Sequence, residues 1–343
     1  MLDIDGSFGT GGGQLVRNAV ALSALTGTAL RVRSIRAKRD KPGLAPQHLT
    51  AVRAVGEICG ARIDGLALGS NELTFQPGRV RGGSFAFDVG TAGSVTLVLQ
   101  SLLPLMVAAR LGFHVELGGG TDVRAAPPLD YLREVLLPLI AGMGADVRLA
   151  TRRRGYYPRG GGRVEIAVAP GVLQPLRLDT PGRVVRIDGL AHVAHLPAHI
   201  AERMRTSAIV RLGSRAVPAS CDTTVLQGEE AIGQGGALAM WARCEHTVLG
   251  AGRVAERGLR AEELGEAVGA ELAADLDAHA SLDAHAADQI LIYLALAGAK
   301  SSFATRELTD HARTAMWLIE QFLPVRFAAS REGALTRVRV SPR

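Results

Sequence analysis

One pattern recurs three times along this chain and constrains its fold more than any other feature. A helical run reaches a glycine and a short strand follows: 14–25 before Gly27 and 29–32, 93–109 before Gly112 and 113–117, 286–296 before Gly298 and 302–305. Each glycine stands where a left-handed residue would stop a helix. Each strand leads through a loop to a second helix, over 47–58, 128–142 and 311–322, and then to another strand at 61–63, 145–147 and 325–327. Recurrence of one such order marks repeated structural units. The glycines stand 85 and then 186 residues apart, so about 100 residues are inserted between the second and third copies. The inserted part has strand patterns at 184–187 and 238–244 and helical patterns at 199–212 and 261–276, the content of a small domain. The expected fold is α/β (α+β). Three βαβαβ-type units form a main domain over 1–183 and 281–343, and a smaller α/β domain, 184–280, is inserted before the third unit.

Bulk properties narrow the class. At 343 residues the chain exceeds one small core. Aromatics make up only 4% while Ala, Leu and Val abound, which suits helices packed on sheets. The net charge of +6, carried almost wholly by Arg, favours polyanionic partners such as nucleic acid or nucleotides. Cys59, Cys221 and Cys244 have no paired spacing, so neither a disulfide framework nor a zinc knuckle is indicated and a cytoplasmic location is expected. The longest apolar run, 92–109, contains Gln100, Ser101 and Pro104 and reads as a buried helix, so no membrane association is expected.

Residues 5–17, DGSFGTGGGQLVR, place Gly9, Gly11, Gly12 and Gly13 between an apolar start and a helical run. Glycine costs backbone entropy, so a cluster needs a reason. A tight turn is one. A strand-to-helix turn whose N–H groups bind phosphate is another. The string is neither a P-loop nor a dinucleotide fingerprint. The loop from Arg36 to His48 carries Arg36, Lys38, Arg39 and Lys41 ahead of a Pro-Gly turn. It is either a solvated loop or a set of cations focused on one point, and Arg offers bidentate donors suited to phosphate. Arg17, one turn into the first helix, can reach the same place.

The corresponding loops of the other units differ. Gly118-Gly119-Gly120-Thr121-Asp122 runs on to Ala126-Pro127-Pro128 and suggests a shaped, exposed loop. In Leu308-Thr309-Asp310-His311, Thr309 or Asp310 caps a helix and His311 lies in its first turn. The helix dipole disfavours a cation there, and a neutral imidazole is a competent nucleophile. Asp288-Gln289 is expected to open the preceding helix. Segment 151–163, TRRRGYYPRGGGR, is either a basic surface for stacking single-stranded RNA or a hairpin with a glycine-rich tip. His192, His195 and His199 suggest a metal cluster, but Pro197 breaks any helix across them and no Cys or carboxylate completes a set.

Together, DGSFGTGGGQLVR, SIRAKRDKPGLAPQHLTAV, GTAGSVTLVLQSLLP, GGTDVRAAPPLDYL, GYYPRGGG, ADQILIYLALAG and LTDHARTAMWLIEQFLPVRF, spread from residue 5 to 327, resemble the RNA 3′-terminal-phosphate cyclase family. The resemblance implies an enzyme that uses ATP as co-substrate, with a divalent metal, Mg or Mn, and acts on RNA 3′-phosphate ends. A histidine takes AMP from ATP, passes it to the terminal phosphate, and the neighbouring 2′-hydroxyl then closes a 2′,3′-cyclic phosphate. By the same resemblance His311 is the nucleophile. Arg17, Arg36, Arg39, Gln47 and His48 match residues that handle phosphate and the RNA end, and Gln100, Pro128, His285, Asp288 and Gln289 match the adenylate pocket.

The chain departs from the family pattern at three positions. Thr10 stands where a metal-binding Glu is usual, which leaves the metal ligands open, with Asp5 an alternative acid. His285 takes a place often held by Tyr beside the adenine, and Ala315 replaces a common Asn. The family also holds a non-catalytic ribosome-assembly relative without the nucleophile. Retention of His311 favours the enzyme, whereas loss of the Glu keeps an RNA-binding role, or adenylation of another polynucleotide end, as alternatives.

Overall fold

The computed structural model describes residues 1–343 apart from 214 and 216. It is mixed α/β, with four sheets, and the helices of the first, second and last of them pack together. The first sheet runs β1 (Leu2–Asp5), β2 (Leu30–Arg33), β4 (Leu73–Gln76), β3 (Arg62–Asp64), with β1 parallel to β2. Between these strands lie α1 (Gly13–Thr26) and α2 (Pro46–Cys59). Every residue of α1 from Leu15 to Ala24 is buried. A helix buried on every side belongs at the centre of a core, and α1 packs against α2, α3 (Val95–Ala108) and α9 (Asp310–Phe322).

The second sheet is built from β5 (Gly83–Asp88), β6 (Phe113–Gly119), β7 (Val147–Gly155) and β8 (Gly162–Val168), in the order β7-β8-β6-β5. Its second helix starts as α4 (Leu129–Tyr131), passes through a π turn at Leu132–Leu136 and ends as α5 (Leu137–Gly142). Beyond it the chain forms β9 (Val184–Ala194), α6 (Ala198–Leu212), β10 (Asp222–Leu226), β11 (Ala231–Ile232), β12 (Gly235–Cys244), β13 (Val248–Val254) and α7 (Ala261–Asp277). A sheet β10-β9-β12-β13 carries α6 and α7 on one face, around a core of its own that includes Ile187, Met204, Met240, Val268 and Leu272. The short β11 leaves this sheet and adds to the edge of β7, pairing Ala231 with Arg154.

The chain closes with α8 (Ala284–Leu296), β14 (Ser301–Thr305), α9, β15 (Val325–Glu332) and β16 (Leu335–Pro342), the strands ordered β14-β16-β15. A parallel bridge sets Arg177 beside Ser302, so chain preceding β9 already lies along β14. One hydrophobic core joins α1, α2, α3, α8 and α9 with the first, second and last of the four sheets. Among the described residues no helix is long and apolar enough to cross a membrane.

Two local expectations need correction. Gly27 and Gly298 have the left-handed φ that ends a helix, 68° and 66°, but Gly112 does not. Helix α3 ends earlier, and Arg110 takes the left-handed position at φ 57°. Gly112 serves a close approach: its carbonyl accepts from Gly83 at 2.9 Å, where the chain enters β5. The loop Gly118–Asp122 is buried, not exposed. Its glycines admit neighbouring backbone, since a Cβ on Gly120 would fall 2.6 Å from the Ala92 carbonyl oxygen.

Candidate active site

The glycine stretch after β1 folds back across the first turn of α9. Gly9 has φ 57°, and a Cβ there would fall 2.1 Å from Thr314 Oγ1, so only glycine lets the loop lie on the helix. Thr309 caps α9 by accepting from Ala312 N, which leaves His311 in the first turn and half-buried. His311 Nδ1 lies 3.0 Å from Gln14 Oε1 and 3.4 Å from Thr10 Oγ1. Because an amide oxygen only accepts, the short contact places the ring proton on Nδ1 and leaves the Nε2 lone pair free. Burial, then the charges of Arg39 and Arg17, holds the imidazole below its ordinary pKa, so it is neutral at pH 7.

Arg17 projects from the buried helix α1 and is only 5% exposed. Burial pushes its guanidinium down to about 10, and it still carries its charge at pH 7. Its Nη2 donates to Gln100 Oε1 at 2.9 Å, yet among the described residues its Nε has no partner. A buried cation met only by a neutral amide is costly unless an anion joins it. Gln100 in turn donates to Gln289 Oε1 at 3.2 Å, which links α1, α3 and α8. A small cavity beside this chain is lined by Gln14, Gln100, Asp288, Gln289 and Tyr293.

His48 starts α2 and is buried. Its Nδ1 accepts from Ala45 N at 3.0 Å, so the proton of the neutral ring sits on Nε2. Burial, with Arg17 and Arg36 nearby, pushes this imidazole down to about 3. Its Nε2 faces Gly13, where a Cβ would fall 1.9 Å away. Arg39 reaches the Thr10 carbonyl at 3.5 Å, and Arg36, with a left-handed φ of 53°, donates to the Gly43 carbonyl at 2.7 Å. Gln47 accepts from Ser94 N at 3.2 Å at the start of α3. Arg17, Arg39, His48 and His311 thus converge where α1, α2 and α9 begin.

The other predicted residues take different places. Asp288 does not open α8. Asp283 caps that helix, accepting from Ala286 N, and Asp288 lies one turn further in. There Asp288 accepts from Thr309 Oγ1 at 2.6 Å, which ties α8 to the cap of the His311 helix. Pro128 precedes α4 and packs against Gly252 of β13. His285 stands at the edge of this region, its side chain 52% exposed, 3.1 Å from Glu271 of α7. The hydrogen bond with Glu271 raises its pKa above the ordinary value despite partial burial. Ala315 is buried on the inner face of α9.

Among the described residues, metal ligands are not assembled around His311. Asp5 accepts instead from Ser7 N at 2.9 Å, and Thr10 offers only a hydroxyl. Among the described residues the one group of His, Cys, Asp and Glu at ligand spacing is Asp122, Asp130 and His192, all buried. These carboxylates were invisible in the spacing of 192, 195 and 199. Their centre is taken by the Arg154 guanidinium, 2.9 Å from Asp122 and 2.7 and 2.8 Å from the two oxygens of Asp130. Arg154 also lies 2.9 Å from His192 Nε2. A cation already fills the place, so the donors form an ion network and do not fit a metal. Segment 151–163 is the β7–β8 hairpin: Tyr156 is buried with its hydroxyl 2.9 Å from His192 Nδ1, while Tyr157 is 76% exposed. The pair therefore cannot act as one stacking surface.

Sequence reasoning missed Gln14, although it stands in the glycine stretch, because its partner is 297 residues away. It also missed the Arg154 network, whose members signal nothing until the strands are paired.

Comparison with known proteins gives one consistent result. A family model described as RNA 3′-terminal phosphate cyclase matches residues 8–329. A protein of Nitrosospira multiformis named RNA 3′-terminal phosphate cyclase is 52% identical over 343 residues, covering 100% of this chain and 97% of its own length. Proteins of the same name from Hyperthermus butylicus and Archaeoglobus fulgidus are 44% and 43% identical, each over 94% of this chain and over 92% and 96% of their own. With an enzyme family's pattern matched along nearly its whole length, this chain belongs to the RNA 3′-terminal phosphate cyclase family.

Proposed function

We propose that this protein converts an RNA 3′-terminal phosphate to a 2′,3′-cyclic phosphate at the expense of ATP, through a covalent AMP on His311. The observation that carries the reading is His311 itself: neutral, with its Nδ1 proton given to Gln14, beside a buried Arg17 whose Nε has no partner among the described residues. Nε2 attacks the α-phosphorus of ATP, forming an N–P bond as the bond to pyrophosphate breaks. An oxygen of the RNA 3′-phosphate then attacks the same phosphorus, and the N–P bond breaks to restore His311. Last, the 2′-hydroxyl attacks the terminal phosphorus, loses its proton and expels AMP. A phosphate monoester oxygen is a poor leaving group and AMP a good one, which is why adenylation comes first. Charge on the transferring groups needs fixed cations, the role we assign to Arg17, Arg36 and Arg39, with Gln47 and the His48 Nε2–H as neutral donors.

Gln100, Pro128, His285, Asp288 and Gln289 hold the adenylate in this reading, which the cavity lined by Gln100, Asp288 and Gln289 supports. Since the donors around His311 do not fit a metal, no step is assigned to one. The domain division follows the same reading, 1–183 with 281–343 as the catalytic body and 184–280 as the insertion. Three unpaired cysteines accord with a cytoplasmic setting.

The test uses α-labelled ATP with a divalent metal, followed by denaturation. Acid-labile, base-stable label is expected on the wild type and none on His311→Ala. Label that persists in the variant overturns the assignment of His311. A folded wild type that takes no label with any metal overturns the enzymatic reading in favour of RNA binding alone.

A further inference from the structure

Phe8, in the glycine-rich loop, stacks on Trp317 of α9, with ring centroids 3.9 Å apart and planes inclined by 23°. Trp317 is half-buried against the main core, while Phe8 remains 41% exposed. With one face covered by the indole, the open area of Phe8 lies on its other face and rim. The pair sits close to the nucleophile. Trp317 follows His311 by six residues on one helix, about 9 Å of rise, and Phe8 precedes Thr10, whose hydroxyl lies 3.4 Å from His311. The surroundings are cationic. Arg313 is exposed one turn before Trp317, Arg39 reaches the Thr10 carbonyl, and Lys38 flanks Gly11. The nearby carboxylates are Asp5, whose charge faces Lys38, Asp40 and Asp310.

We propose that Phe8, backed by Trp317, is a stacking platform for the terminal nucleobase of the RNA whose 3′-phosphate meets His311. This rests on the function proposed above and adds how the end is oriented. An exposed aromatic plate within a cationic rim is the chemistry that holds single-stranded nucleic acid without reading its sequence. With about 9 Å of helix rise between His311 and the Trp317 that backs Phe8, one nucleotide sets its phosphate at His311 and its base on Phe8. Every base offers a π face, so the platform tolerates any terminal base but not a missing one.

Binding without ATP tests it, using a short 3′-phosphorylated RNA, the same RNA with an abasic terminal ribose, and the same RNA ending in a 3′-hydroxyl. The wild type is expected to bind the base-bearing 3′-phosphate about ten-fold more tightly than the abasic one, the effect of one lost stack. In Phe8→Leu, which still covers Trp317 but offers no plate, the ratio falls to near one, and in Phe8→Trp it is retained. A wild type indifferent to the terminal base, or a Phe8→Leu variant that keeps the ratio, overturns the platform. Failure to distinguish 3′-phosphate from 3′-hydroxyl is a separate result, which removes the end-handling role on which the platform depends and so overturns it too.

Discussion

His311 owes its proposed reactivity to which nitrogen carries the proton and to the charges around it. An ordinary imidazole is half-protonated near pH 6.5, where half of it is lost as a nucleophile. Here burial, Arg39 and Arg17 lower that value. The acid limb of covalent AMP formation is therefore expected below pH 6.5, measured as the initial rate of labelling against pH. Thr10→Glu would set a carboxylate where the hydroxyl now lies 3.4 Å from Nδ1. The imidazolium is then favoured, and the limb should move up by about one pH unit. An unmoved limb would mean that the titrating group is not His311. At this scale the sequence was partly legible. A first-turn histidine behind a capping threonine is visible in Leu308-Thr309-Asp310-His311, but its tautomer is set by Gln14, from the far end of the chain.

At the level of elements, the site exists because three helices begin at one point, and glycines permit the approach. Gly13→Ala would thrust a methyl group to within 1.9 Å of His48 Nε2. The imidazole has to move, breaking its bond from Ala45 N and losing the donor it presents. We expect a loss of about 1–3 kcal/mol in urea unfolding, and a larger fractional loss of RNA-end binding than of ATP binding. Equal affinity of variant and wild type for a 3′-phosphate end would show that His48 does not handle it. Helices were the readable part of this chain, since α1, α2, α3, α8 and α9 follow apolar runs bounded by Gly or Pro. The role of individual glycines was not. Gly27, Gly112 and Gly118 look alike in sequence, yet one ends a helix, one meets a neighbouring strand and one lies within β6. Only the packed neighbours distinguish them.

For the whole molecule, Arg154 joins parts of the chain that the sequence keeps apart. It bridges Asp122 and Asp130 and touches His192 of β9. Burial alone would raise the Asp130 pKa, but the hydrogen bond to His192 and the Arg154 charge outweigh it and hold the carboxyl well below its usual range. The stabilisation is therefore present above the unfolded carboxylate pKa and is lost as pH falls through the lower folded value. Arg154→Met leaves Asp122 buried without its guanidinium partner and Asp130 with Arg133 alone, 2.8 Å away, and is expected to cost roughly 3–5 kcal/mol at pH 7. Urea unfolding should show that deficit shrinking towards acid pH, and a deficit independent of pH would count against the network. Such links could not be read in advance, because Arg154 and His192 are 38 residues apart and meet only in the folded chain, where β11 also pairs with β7. That pairing also limits how freely the molecule could be trimmed. In the proposed division residues 184–280 form a cassette that invites being cut out and its ends rejoined. Cutting it would remove β11 and His192 together, baring the β7 edge beside an ionic cluster stripped of its imidazole. Raw strand edges recruit other strands. The shortened chain is expected to stick to its own copies, so residues 184–280 also act as the seal on a seam.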